Sequence, residues 1–111
     1  MINVYLIYAE IDNKKLYKIG YTRRTVDERI REFRTGNASS FYIIDSFQSK
    51  WGTKIEARLH RQFKGKKING EWFDLNEDDI KEFRISSQSI HDSLELISST
   101  NTYVLDRGGR F

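Results

Sequence analysis

The sequence predicts an α+β fold: a small antiparallel sheet flanked by helices, in the order β-β-α-β-α-β-α(α). Three observations predict it. Short runs rich in Val, Ile, Tyr and Phe alternate with segments whose apolar residues recur at helical spacing. The breaks between them carry Asp, Asn and Gly but no proline, which the chain lacks entirely. The length of 111 residues suffices for one domain with a single modest core.

Residues 3–8 (NVYLIY) are a β-rich apolar run. Asp12, Asn13, Lys14 and Lys15 form a turn, and residues 16–22 (LYKIGYT) a second strand, giving an antiparallel hairpin with a loop of several residues. Thr25 and Glu28 fit a capping box. Val26, Ile30 and Phe33 follow at helical spacing, with Gly36 placed as a C-cap, so a helix is expected over 25–35. Residues 41–47 (FYIIDSF) read as a third strand. Thr53 and Glu56 match a second capping box ahead of the stripe Ile55, Leu59 and Phe63, which predicts a helix over 53–64. A basic loop over 64–70 and a short strand over 71–75 (EWFDL) come next. Asn76 caps a third helix whose first turn holds Glu77, Asp78 and Asp79, the favourable sign at a helix N-terminus. Ile90, Leu94 and Ile97 suggest helix over 86–98, residues 101–105 (NTYVL) a short strand, and the last six residues a frayed end.

Composition excludes several classes of function. Apolar residues make up 38 % and aromatics 14 %, too many for a disordered chain. Without cysteine there is no disulfide scaffold, thiolate metal site or cysteine nucleophile. His60 and His91 are too few for a multi-histidine zinc site. No apolar run approaches the roughly 18 residues of a membrane span. The opening MINVYLIYAEID has no basic region before its apolar run, so a signal peptide is not expected and the cytoplasm is the expected location.

The formal net charge of +3 conceals a polarity. Residues 14–34 hold eight basic and three acidic side chains, and residues 50–67 seven and one. Residues 71–95 reverse this, with two against eight. Basic segments interleaved with Tyr, Trp and Phe point to a polyanion, nucleic acid first. Solvated helix faces would look the same by charge alone.

Phosphodiester hydrolysis needs a base for water, a cation at the phosphorus, and a stabilised leaving oxygen. The candidates are Tyr5, Tyr17 and Lys18 on the hairpin, Arg29 on the first helix, and Glu56 with His60 four residues apart on one face of the second. Each also has a bland reading: Glu56 as the N3 member of its capping box, His60 as a satisfied half-buried histidine, Arg29 paired with Glu28 or Glu32, the tyrosines as cross-strand aromatics. Trp72 and Phe73 are most simply core, one of the two facing inward.

The order VYLIY, YKIGYT, Arg29, EARLHRQF, GEWFDL, spanning residues 3–75, resembles the GIY-YIG nuclease superfamily. More narrowly it resembles the branch whose second motif is written KIG, the phage orf-172-like and meiotically up-regulated-113-like domains. The resemblance implies a DNA endonuclease that uses Mg²⁺ (or Mn²⁺). It implies that Tyr5 orients the attacking water and that the backbone turns tightly at Gly20. Arg29 would meet the scissile phosphate and Glu56 would hold the metal, with His60 and Trp72 at positions characteristic of the branch. Two positions depart from the superfamily pattern. Lys18 stands where the second motif has tyrosine, with Tyr17 one place earlier on the opposite strand face, so only one of them can point into the site and join Tyr5 in activating water, Lys18 as a base of lowered pKa. Phe33 lies one turn after the arginine, where other members carry a residue able to move a proton.

The expectation is therefore a nuclease core over 1–75 with a helical extension over 76–111 packing on the same domain. Arg23, Arg24, Lys54, Arg58, Lys66 and Lys67 are its DNA-backbone contacts, and a homodimer or partner protein would supply specificity. One alternative is a catalytically silent nucleic-acid-binding module that keeps the fold. A weaker one is a protein-interaction domain using the acidic 71–95 segment as a charge mimic of nucleic acid.

Overall fold

In the computed structural model the described residues are 1–33 and 41–106, with side chains described to residue 99. The elements are β1 (Ile2–Ile11), β2 (Lys14–Thr22), α1 (Val26–Arg31), β3 (Phe41–Ser49), α2 (Gly52–Gln62), a 3₁₀ turn (Lys64–Lys66), β4 (Lys67–Asn69), β5 (Trp72–Phe73) and α3 (Glu77–Asp106). The five strands form one antiparallel sheet in the order β3-β1-β2-β5-β4. The expected α+β class and its antiparallel sheet are thus present.

The β1–β2 hairpin turns on Asp12 and Asn13 alone, at φ 52° and 63°. Two consecutive left-handed residues make the tight loop whose twist matches that of the strands. Lys14 and Lys15, expected in the loop, belong to β2. The pairing then runs unbroken from Asn3–Thr22 to Ile11–Lys14.

The alternation along β1 and β2 builds two different faces. Val4, Leu6, Tyr17 and Ile19 point to one side, where α2 brings Ile55, Leu59 and Phe63, β3 brings Phe47, β5 brings Phe73 and α3 brings Phe83. This is the main core. On the other side, among the described residues, Tyr5 and Ile7 cluster with Val26 and Ile30 of the short α1, with Phe33 and Phe41 at the margin.

Thr25 caps α1 as expected, its hydroxyl accepting from Glu28 N–H and donating to the Glu28 carboxylate. The helix closes at Arg31, short of the expected residue 35, and Gly36 lies outside the described residues. The Thr53–Glu56 capping box does not form. Trp51 occupies the N-cap of α2 without a side-chain cap, so Glu56 sits two positions too deep to reach back. Trp51 N–H instead bonds the buried Ser49 hydroxyl at 2.9 Å. The reciprocal cap lies at α3, where Asn76 Oδ1 accepts from Asp79 N–H and Asp79 Oδ2 from Asn76 N–H, both at 2.9 Å.

The expected basic loop over 64–70 is the 3₁₀ turn and β4, joined to β5 through Gly70 at φ +50°. The expected strand over 101–105 is helix. With neither Pro nor Gly between Glu77 and Asp106, nothing in the sequence stops α3. The expected frayed end falls almost wholly at 107–111, outside the described residues. α3 lies against α2 and β3. No helix among the described residues is long and apolar enough to cross a membrane.

Candidate active site

β5 is only two residues long, and its ladder with β2 stops at the Lys18–Trp72 pair. Beyond that point the edge of β2 lies open. Glu71 supplies the last rung through its carbonyl, which accepts from Ile19 N–H at 3.4 Å. His60 takes the next group, its Nε2–H donating to the Ile19 carbonyl at 2.8 Å. The imidazole stands edge-on to Phe73, 4.9 Å between centroids. This fixes the ring and assigns the proton to Nε2. Glu56, one turn earlier on α2, lies 3.7 Å from the same nitrogen.

Tyr5 reaches this edge from the other face. It pairs with Gly20 across the β1–β2 ladder, and its phenol lies directly over that glycine. A β-carbon at Gly20 would fall 2.6 Å from Tyr5 Cζ and against the hydroxyl oxygen. Gly20 is thus inside β2 and not at the expected tight turn. It is glycine because the tyrosine ring occupies the space a side chain would need. The Tyr5 phenol is pushed up to about 12, first by burial and next by the Glu71 carboxylate, while hydrogen bonding and charge from Arg29 pull the other way. At neutral pH it is a protonated donor.

Two carboxylates and an imidazole converge here: ligand atoms of Glu56, His60 and Glu71 all lie within 4.8 Å of one another. Glu56 is held above the ordinary carboxylate value of 4.5, chiefly by burial and also by repulsion from Glu71, with His60 and Lys67 opposing. Hard divalent cations bind through one or two carboxylates with water completing the shell. Glu56 and Glu71 fit that donor set, and His60, committed through Nε2 to the β2 backbone, fits the role of holding the edge on which they meet.

Lys18 and Arg29 bring positive charge. Lys18 Nζ is 3.1 Å from Glu71 Oε2 and packs over the rings of Phe33 (4.4 Å) and Trp72 (5.4 Å). Arg29 lies 4.5 Å over Phe33 and pairs with Glu32 at 2.7 Å, the bland partner expected from sequence, and it also reaches Tyr5.

Of the expected site residues, Tyr5, Lys18, Arg29, Glu56 and His60 come together. Tyr17 does not. It is 9 % exposed in the main core, beside Tyr8, because adjacent residues of a strand face opposite sides. Among the expected DNA contacts, Lys67 faces the site closely enough to act on Glu56. Arg24 pairs with Glu32 and Lys66 with Asp79. Arg23 lies over Tyr21, Lys54 over Trp51, and Arg58 is half-buried on α2. Glu71 went unrecognised in the sequence, although it stands in the GEWF string. No local pattern marked it: it comes to the site because its neighbour Trp72 pairs with Lys18 across the strands.

The T5orf172 domain, a family of phage and endonuclease-like domains, matches residues 3–87, from the start of β1 into α3. No curated protein and no solved structure matches the chain.

Proposed function

The chain belongs to the T5orf172 domain family, consistent with a nuclease-like or DNA-binding module, and on that premise we propose that it is a GIY-YIG-type, metal-dependent DNA endonuclease. The observation that carries this reading is the meeting of Tyr5, Arg29, Glu56, His60 and Glu71 where β5 stops short along β2. A half-buried carboxylate raised by burial and by a second carboxylate beside it is a place where a divalent cation would be favoured, although Lys18 already pairs with Glu71.

The reaction is in-line hydrolysis. Water attacks the phosphorus and gives its proton up to solvent, the P–O bond on the far side breaks, and the leaving oxygen takes a proton from solvent, so the products are a phosphate monoester and a hydroxyl. Arg29 binds the scissile phosphate and meets the charge that grows on it. Tyr5, protonated, donates to the attacking water and orients it. Lys18, paired with Glu71, contributes a second cation beside the phosphate. Glu56 and Glu71 hold the metal, which when bound supplies a more acidic water and charge neutralisation. Basic segments 14–34 and 50–67 bind the backbone, and a second copy or partner protein supplies sequence preference.

A second reading keeps the fold and the DNA contact without cleavage. It is favoured by Phe33, which cannot move a proton, and by the Lys18–Glu71 pair. Incubation with plasmid, branched and single-stranded DNA, in Mg²⁺ and in EDTA, separates the two. Nicking that requires Mg²⁺ and is lost in Arg29→Ala and Glu56→Ala supports the nuclease. Retarded but intact DNA at high protein concentration overturns it in favour of the binding module.

A further inference from the structure

The aromatic rings beside the site form a continuous wall. Centroids are 6.3 Å apart from Tyr5 to Phe33, 5.7 Å from Phe33 to Phe41, and 6.2 Å from Phe41 to Trp72. Phe33, Phe41 and Trp72 each keep part of their surface open, whereas Phe73 and Phe83 on the opposite side are 0 % exposed. Closing the small cluster around Tyr5 and Ile7 accounts for the inner edges of these rings. Two cations stand beside the open parts, each also paired with a carboxylate: Lys18 with Glu71 and Arg29 with Glu32. Lys18 and Arg29 both hold their charged heads over ring faces, where lysine and arginine ordinarily extend to water.

An open aromatic surface flanked by cations matches what a nucleotide presents: a base with a π-face joined to a phosphate. In a duplex that face is covered by the neighbouring base pairs, so the wall can be used only by a base that is out of the stack. We infer that Phe41 and Trp72, backed by Phe33 whose ring carries the two cations, are a base-stacking platform and that the strand held at the site is unpaired. The inference rests on the nuclease reading and names its substrate class: single-stranded DNA, or a locally unpaired segment in otherwise paired DNA. Lys18 and Arg29 then take the phosphates on either side of the stacked base.

The test uses the whole chain in EDTA, so that binding is read without cleavage. The protein has two tryptophans, so in a Trp51→Phe background the indole signal belongs to Trp72. A short oligothymidylate is expected to quench that signal, and a duplex of equal length to leave it unchanged. Separately, Trp72→Leu is expected to weaken single-strand binding about tenfold, with duplex binding and the salt dependence unaltered, since no charge is removed. Trp72→Phe should restore most of the loss. If single-stranded DNA binds without quenching, or if Trp72→Leu weakens both forms equally, the stacking inference is overturned while the nuclease reading stands. If neither form binds at all, the nuclease reading falls and this inference with it. Should Trp72→Leu fail to fold, the quenching experiment decides alone.

Discussion

The two faces of the sheet are made from the same strands and do opposite work. The face under α2 and α3 collects Val4, Leu6, Ile19, Ile55, Leu59, Phe73 and Phe83, mostly fully buried, and supplies the stability. The face under α1 has Tyr5, Ile7, Val26 and Ile30 as its apolar base, and around them a charged lysine, an arginine and half-open aromatics. One strand shows the division: Tyr17 and Ile19 of β2 enter the core, while Lys18 and Gly20 lie on the site side. A full-size helix makes the first face dry. Among the described residues a six-residue helix covers the second one only in part, and polar groups stand there. A small domain can afford a reactive surface when the opposite face is large enough to hold the fold.

The comparison breaks most directly at Phe73. Phe73→Ala is expected to cost about 3–5 kcal/mol, a large part of the total for a domain of this size, measured by urea unfolding. Its neighbour Trp72, on the other face, should cost far less when replaced. Arg29→Ala reverses the pattern. Cleavage should fall about 10²–10³-fold, or about 2.7–4 kcal/mol in the barrier, with the urea midpoint nearly unmoved. A large drop in midpoint would show that the α1 face is structural after all.

Gly20→Ala tests the packing within the site face. The added methyl must displace the Tyr5 ring, at about 1–3 kcal/mol, and cleavage should fall with it. If the paired change Tyr5→Phe does not relieve part of the stability loss, the hydroxyl is not the obstacle.

Glu56→Gln should cost activity and raise stability by about 0.5–2 kcal/mol at neutral pH. The sign follows from its raised folded value. Below the ordinary 4.5 the carboxyl is protonated in both states and the substitution is neutral. As pH rises through the window between that value and the higher folded one, ionising Glu56 removes native stability, and the loss persists above it. A thermal midpoint gained at pH 7 and absent at pH 4 is the expected result. No gain at pH 7 would mean that His60 and Lys67 already compensate the charge.

Two local signals were legible. Asp12 and Asn13 marked the turn by residue type, though only the structure shows that they make it alone. Thr25 and Glu28 marked a real cap, since donor and acceptor lie three residues apart on one chain segment. The same pattern at Thr53 and Glu56 misled. Ser49 and Trp51, fixed by β3 and the core, start α2 earlier and leave Glu56 inside the helix. That displacement removes the bland explanation for Glu56 and leaves its carboxylate turned to His60 and Glu71. The tail misled in the opposite way, because NTYVL has strand-forming residues but no partner strand, and α3 carries through it.

By itself the sequence determined the alternation of strands and helices, the two-sided pattern of β2, the absence of thiol and multi-histidine chemistry, and the string of motif residues from Tyr5 to Trp72. These are properties of neighbours along the chain, set by periodicity and side-chain chemistry. Only the tertiary structure decided that Lys18 rather than Tyr17 faces Tyr5 and that Glu71 joins Glu56. It also decided that Gly20 is a space for a ring. Each of these depends on where β5 stops along β2 and how α2 crosses the open edge. Such distances between remote segments are set by the packing of the whole core and cannot be expressed in any local pattern.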